Sequence, residues 1–123
     1  MSTQLLGKQG EKEAKRYLIK NGYKIIKMNY RKPFGEIDII AIEPDKTLTF
    51  VEVKATFNKN PEIQSEEHFT FAKYKKLKKV IEVFIQTQHF TEYVNRYNCR
   101  LDLLALTITE NSCEVRHYKN IFF

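Results

Sequence analysis

Apolar residues recur at two periods along this chain, and the switches between them predict its elements. Ala14, Tyr17 and Leu18 fall on one helical stripe, which predicts a helix over residues 8–21. Asn21 and Gly22 suit its end, since both tolerate the left-handed backbone of a helix C-terminus. Residues 23–28 are β-rich and read as a strand, and residues 29–35, with Pro33 and Gly35, read as a polar connection. Residues 36–42 and 48–54 predict two more strands around a Pro44-Asp45 turn. Residues 55–65, with Asn58, Asn60 and Pro61, read as a loop. Tyr74, Leu77, Ile81, Phe84 and Ile85 then recur at helical spacing, predicting a long helix from residue 66 or 69 to residue 88. Lys73, Lys75, Lys76, Lys78 and Lys79 mostly occupy its other side. Residues 100–109 predict an apolar strand and residues 114–118 another.

The order is helix, three strands, helix, one or two strands. Three consecutive strands can form an antiparallel meander, and the long helix can cross over to a parallel fourth strand. The middle strands are apolar on both faces, as expected of a sheet covered on both sides. The expectation is one α/β domain over residues 1–123, a mixed sheet flanked by helices, without internal repeats.

Composition adds a charge argument. Lys and Arg outnumber Asp and Glu by 21 to 15, a net +6. That balance suits a polyanion such as nucleic acid, and equally a soluble basic protein with no such partner. Cys99 and Cys113 lack CxxC spacing, so neither a zinc site nor a disulfide framework is expected, and a reduced, cytoplasmic protein is the simplest account. The start of the chain has no apolar signal core, and no stretch approaches the roughly 18 apolar residues of a membrane span.

Charges interrupt otherwise apolar strand faces at Asp38, Glu52 and Lys54. If the hairpin closes with Ile42 opposite Leu48, Ile40 faces Phe50 and Asp38 faces Glu52. Two carboxylates held that close need a proton, a basic neighbour or a cation. A divalent cation such as Mg²⁺ takes oxygen ligands and also binds phosphate. Lys54, on the same face as Glu52, would position a water or offset charge developing on a phosphoryl group. These parts suit phosphodiester hydrolysis; the competing reading is a structural Asp38/Glu52/Lys54 ion network.

Glu11 lies on the apolar stripe of the first helix and is either a further metal-site carboxylate or a helix N-terminal acid favoured by the dipole. Gly7 and Gly10 would let that helix start approach another backbone closely. The lysines of the long helix either contact a phosphate backbone or form a solvated face. Arg31 either meets a phosphate or stabilises its loop. His68, His89 and His117 show no metal-ligand spacing and are read as non-catalytic. Asp102 interrupts an apolar strand and is expected to pair with Arg100.

These segments in this order resemble the YraN family of small bacterial proteins. The resemblance is carried by Gly7-x-x-Gly10-Glu11-x-x-Ala14, Asn21-Gly22-Tyr23, Asn29-x-Arg31, Gly35-Glu36-Ile37-Asp38-Ile39-Ile40-Ala41 and Phe50-Val51-Glu52-Val53-Lys54, then Arg100-x-Asp102 and His117-x-Lys119-Asn120-x-Phe122. That family is in turn similar to the PD-(D/E)xK nucleases, with their restriction-endonuclease-like α-β-β-β-α-β core, and to archaeal Holliday junction resolvases. The resemblance implies metal ligation by Asp38 and Glu52, completed by the Val53 carbonyl, with help from Lys54 and a supporting Glu11. It also implies nucleic-acid contacts at Arg31 and Lys73. The implied activity is Mg²⁺-dependent (or Mn²⁺-dependent) endonucleolytic cleavage of DNA, branched DNA included, by a homodimer if two cuts are made. The alternatives are a catalytically weak nucleic-acid-binding module and a structural or partner-binding protein. One departure is Thr56, where the family often carries a basic residue.

Overall fold

The computed structural model describes residues 2–57, 69–87 and 98–121. Its elements are α1 (Thr3–Lys20), β1 (Lys24–Lys32), β2 (Gly35–Ile42), β3 (Leu48–Phe57), α2 (Phe71–Gln86), β4 (Cys99–Ile108) and β5 (Cys113–Tyr118). The strands form one sheet in the order β1-β2-β3-β4-β5. β3 and β4 pair in parallel and the other neighbours antiparallel, the mixed α/β sheet expected from the sequence.

Each helix covers one face. Ala14 and Leu18 of α1 pack with Tyr23, Ile39, Ala41, Val51, Leu104 and Leu106. Leu77, Val80 and Phe84 of α2 pack with Tyr30, Ile37, Ile40, Leu48, Phe50 and Leu101. On the α2 side the Phe84 ring meets Tyr30 and Phe50 edge-on, with centroids 5.2 and 5.5 Å apart, a favoured aromatic geometry. Both faces of the sheet are therefore covered over Ile39–Ala41 and Leu48–Val51, where the apolar runs are near-continuous.

Element ends differ from the sequence reading where side chains supply caps or pairing. α1 begins at Thr3, well before residue 8, because the Ser2 hydroxyl accepts the Leu5 N–H at 3.1 Å. α2 begins at Phe71 because Thr70 caps the Lys73 N–H. The polar stretch after residue 28 is strand through Lys32, since β1 pairs with β2 as far as Lys32↔Gly35. β3 continues to Phe57 beside β4, so Ala55–Phe57 is strand rather than loop. Asn58, Asn60, Pro61, His68, His89 and Phe122 lie outside the described residues.

Gly10 is where α1 comes down on the sheet: a Cβ there would stand 2.7 Å from the Ala55 Cβ. Gly7 faces open space and makes no such approach. No helix among the described residues is long and apolar enough to cross a membrane.

Candidate metal centre

The site is built around a slip in strand alternation. Met28 pairs with Ile39, and the partly buried Met28 and buried Ile39 pack on the α1 side. Tyr30 pairs with Ile37, and both pack on the α2 side. Strict alternation would keep Ile37 and Ile39 on one face. Both strands therefore switch faces at the intervening residues, Asn29 and Asp38. Asn29 makes the switch with φ 52°, a left-handed conformation that Asn tolerates better than most side chains.

The β2–β3 register is the expected one, with Ile42↔Leu48, Ile40↔Phe50 and Ile39↔Val51. The ladder ends there, one rung before Asp38 and Glu52. In place of a backbone partner, the Val53 N–H donates to Asp38 Oδ2 at 2.7 Å. Asp38 thus bridges the opening between the strands.

Around this opening the carboxylates of Glu11, Glu36 and Asp38 each place an oxygen within 4.8 Å of the others. Gly10 brings Glu11 there by seating α1 against β3. The Asn29 amide nitrogen, oriented toward these acceptor-only groups, donates to Glu36 Oε1 at 2.6 Å and Glu11 Oε1 at 3.0 Å. Arg31 Nε closes the outer side on Glu36 Oε2 at 3.1 Å. Glu52 stands beside this group rather than in it, with Lys54 Nζ 3.5 Å from its Oε1. Lys73, in the first turn of α2, adds its charge close to Glu52 and Lys54.

The electrostatics record the crowding. Burial, then the Glu52 charge, raise the Asp38 carboxyl far above the usual range; the Val53 N–H only partly offsets them, and Glu11 and Glu36 raise it further. Burial raises Glu11, against the Asn29 hydrogen bond. Burial likewise raises Glu52, opposed by Lys54 and Lys73. Burial and the neighbouring Lys54 lower the Lys73 ammonium. Three converging oxygen donors with excess negative charge are the ligand chemistry of a hard divalent cation such as Mg²⁺ or Mn²⁺, so the residues fit such an ion.

Of the residues singled out from sequence, Asp38 and Glu11 come together, Glu52 and Lys54 form an adjoining ion pair, and Arg31 and Lys73 flank them. Val53 brings its N–H to Asp38. Glu36, two residues before Asp38 in the Gly35–Ala41 segment, is not singled out as a ligand by the sequence. Asn29 falls in a stretch that reads as a polar connection, and its place in the Asn29-x-Arg31 segment is its trace in the sequence.

A second polar group lies at the other end of α1. Asp102 is fully buried and accepts from Arg100 Nε at 2.7 Å, Arg100 Nη2 at 3.0 Å and the Asn120 N–H at 2.9 Å. His117 Nε2 lies 2.7 Å from Asp102 Oδ2, and its Nδ1 lies 3.1 Å from the Tyr17 hydroxyl. Arg100 Nη1 reaches Glu43 at 2.7 Å, and Lys119 reaches the same carboxylate at 2.8 Å. The expected Arg100–Asp102 pair is thus one edge of a network joining α1, β4, β5 and the β2–β3 turn. Burial would raise Asp102, but His117, Arg100 and the Asn120 N–H hold it below its ordinary value. Burial is likewise outweighed at Glu43, which hydrogen bonds from Arg100 and Lys119 hold at about 2.

Residues 10–106 match the family described as "Uncharacterised protein family UPF0102". A UPF0102 protein of Thermodesulfovibrio yellowstonii is 36% identical over 121 residues, covering 96% of both chains. One from Francisella tularensis is 36% identical over 123 residues, covering 99% of this chain and 97% of its own. One from Desulforamulus reducens is 33% identical over 117 residues, covering 94% and 93%.

Proposed function

The chain belongs to the UPF0102, or YraN, family, and from that membership and the carboxylate geometry we propose a divalent-metal-dependent endonuclease that hydrolyses phosphodiester bonds in DNA, branched DNA included. The observation that carries the reading is the meeting of Glu11, Glu36 and Asp38 within 4.8 Å beside the Glu52–Lys54 pair. The helix–three strands–helix–strand order, with an ExK strand next to an Asp-bearing strand, resembles the restriction-endonuclease-like core of the PD-(D/E)xK nucleases.

In this reading Glu11, Glu36 and Asp38 hold the ion, and Asn29 fixes two of the carboxylates in place. When bound, the cation supplies Lewis acidity at the scissile phosphate. Lys54, held at the rim by Glu52, orients the attacking water and offsets charge growing on the phosphoryl oxygens. The Glu52 carboxylate, beside Lys54, takes the water's proton in this reading. Lys73 and Arg31 bind flanking phosphates.

The test is a panel of linear, single-stranded and four-way DNA incubated with Mg²⁺ or Mn²⁺, with Asp38→Asn and Glu52→Gln as controls. Metal-dependent cleavage lost in both variants supports the proposal. A wild-type chain that leaves every substrate intact with either metal rejects it. Glu52 already paired with Lys54 and outside the three-oxygen group favours a second reading, a DNA-binding module of low turnover. Salt-sensitive binding without cleavage, unchanged in both variants, would select that reading.

A further inference from the structure

Asn29 reaches into the middle of the carboxylate group from the edge strand β1. Its carboxamide nitrogen lies 2.6 Å from Glu36 Oε1, and 3.0 and 3.2 Å from Oε1 and Oε2 of Glu11. All three contacts run to side chains of the converging oxygen group. That group is also held from outside. Arg31 Nε takes Glu36 Oε2 at 3.1 Å, and the Val53 N–H takes Asp38 Oδ2 at 2.7 Å. The carboxamide sits on the opposite, inner side, where it meets the other Glu36 oxygen.

Its distances match those between ligands of one small cation. Mg²⁺ binds oxygens at about 2.1 Å in near-octahedral geometry, which places adjacent ligand oxygens about 3 Å apart. The end of the Asn29 carboxamide meets Glu11 and Glu36 at that separation. A half-turn about the last side-chain bond exchanges nitrogen and oxygen almost in place, because the carboxamide is planar and its terminal torsion is roughly two-fold. The backbone need not move.

Charge decides which end faces inward. Toward carboxylates alone the NH₂ end donates, and the oxygen end would repel. Toward a divalent cation the preference reverses. The NH₂ protons would meet positive charge, whereas an amide oxygen is a hard, neutral ligand of the kind such ions take. Neutrality counts here, since Glu11, Glu36 and Asp38 already crowd three like charges together. An Asp at this position would add a fourth. At φ 52° glycine would be the least strained residue, yet this chain keeps an amide side chain there, aimed at the carboxylates.

We propose that Asn29 is a fourth ligand of the cation: without an ion its amide nitrogen bridges Glu11 and Glu36, and on binding the carboxamide turns over and gives its oxygen to the metal. This rests on the metal-dependent reading above and adds to it a neutral ligand from β1. The bridging amide holds the two glutamates near ligand spacing beforehand, so little side-chain ordering is left for the ion to impose.

The experiment follows the Asn29 side chain itself by NMR, in the full isotope-labelled chain without DNA. Its NH₂ resonances are identified by their loss in Asn29→Gly. In EDTA they should show the downfield shifts of protons donated to carboxylates. Saturating Mg²⁺ should move them upfield and shift the carboxamide carbonyl carbon. By calorimetry, Asn29→Gly should bind Mg²⁺ at least tenfold more weakly, the scale of a group lost beside a metal. Asn29→Asp, which keeps an oxygen but loses the donor, should bind at least as well as wild type and melt lower in EDTA. Circular dichroism confirms that each variant folds. NH₂ protons that keep their carboxylate-bonded shifts in saturating Mg²⁺ would overturn the inference and leave the nuclease reading standing. So would a folded Asn29→Gly chain of wild-type affinity, or an Asn29→Asp chain as weak as Asn29→Gly, which would make Asn29 a donor only. An amide that turns over in a chain that cleaves no DNA would do the reverse. A chain that binds neither Mg²⁺ nor Mn²⁺ removes both readings.

Discussion

Asp38 concentrates the chemistry of the site in one side chain. It is partly buried, accepts the Val53 N–H, and feels three other carboxylates. An ion-free site of this kind stores repulsion that the rest of the fold sustains. Asp38→Asn should therefore stabilise the protein in EDTA, on the order of 1–2 kcal/mol and a few degrees in Tm, while abolishing metal-dependent cleavage. A lower melting temperature for that variant in chelator would contradict the picture of an ion-hungry cluster. Asp102 is the opposite case, because its charge is fully answered by Arg100, His117 and the Asn120 N–H. Asp102→Ala should cost about 3–5 kcal/mol, the usual penalty for orphaning a buried partner. The denaturant midpoint measures this, and a loss below about 1 kcal/mol would mean that the network bears little of the fold's stability.

At the scale of elements, strand periodicity carried most of what the sequence could tell. The Ile42↔Leu48 register is one of those that keep apolar faces matched, and it is the one the sheet adopts, which brings Asp38 to the ExK strand. Two things were not legible. Alternation assumes an even pleat, whereas the pleat slips at Asn29 and Asp38, and this slip takes Asp38 to Glu11 and Glu36 rather than squarely onto Glu52. Nor does local pattern reveal which acidic side chains from distant elements converge, so Glu36 remained an ordinary strand-edge acid. Helix placement was only partly legible: Gly10 was read as a point of close approach, but its neighbour across the gap, Ala55, lay in a stretch read as loop. That contact suggests a test at this scale. Gly10→Ala forces two Cβ atoms together and should tilt α1, displacing Glu11 and lowering Mg²⁺ affinity about tenfold or more by calorimetry. Adding Ala55→Gly should restore it. If the single variant binds metal like wild type, Glu11 is not a ligand that depends on this packing.

At the scale of the molecule, the two polar groups sit at opposite ends of α1 and respond oppositely to protons. Asp102 and Glu43 have folded-state values below those of the unfolded chain, the latter at about 2. Their contribution is fully present above roughly pH 4, where unfolded carboxyls are ionised, and is lost as the pH falls toward 2. Acid melts should show stability dropping through this window, with a shallower drop in Asp102→Asn. A wild-type curve flat from pH 5 to pH 2.5 would count against the network as a source of stability.

The slipped rung between β1 and β2 has one more consequence. Because it turns Glu36 and Asp38 toward Glu11, an ion held there would clasp the N-terminal helix to a hairpin otherwise joined to it by apolar packing and the Asn29–Glu11 hydrogen bond. Saturating Mg²⁺ should then slow deuterium uptake at the backbone amides of the first half of α1 and of β2 together, leaving β4 and β5 untouched. Metal supply would thereby set how long the start of this chain survives a protease.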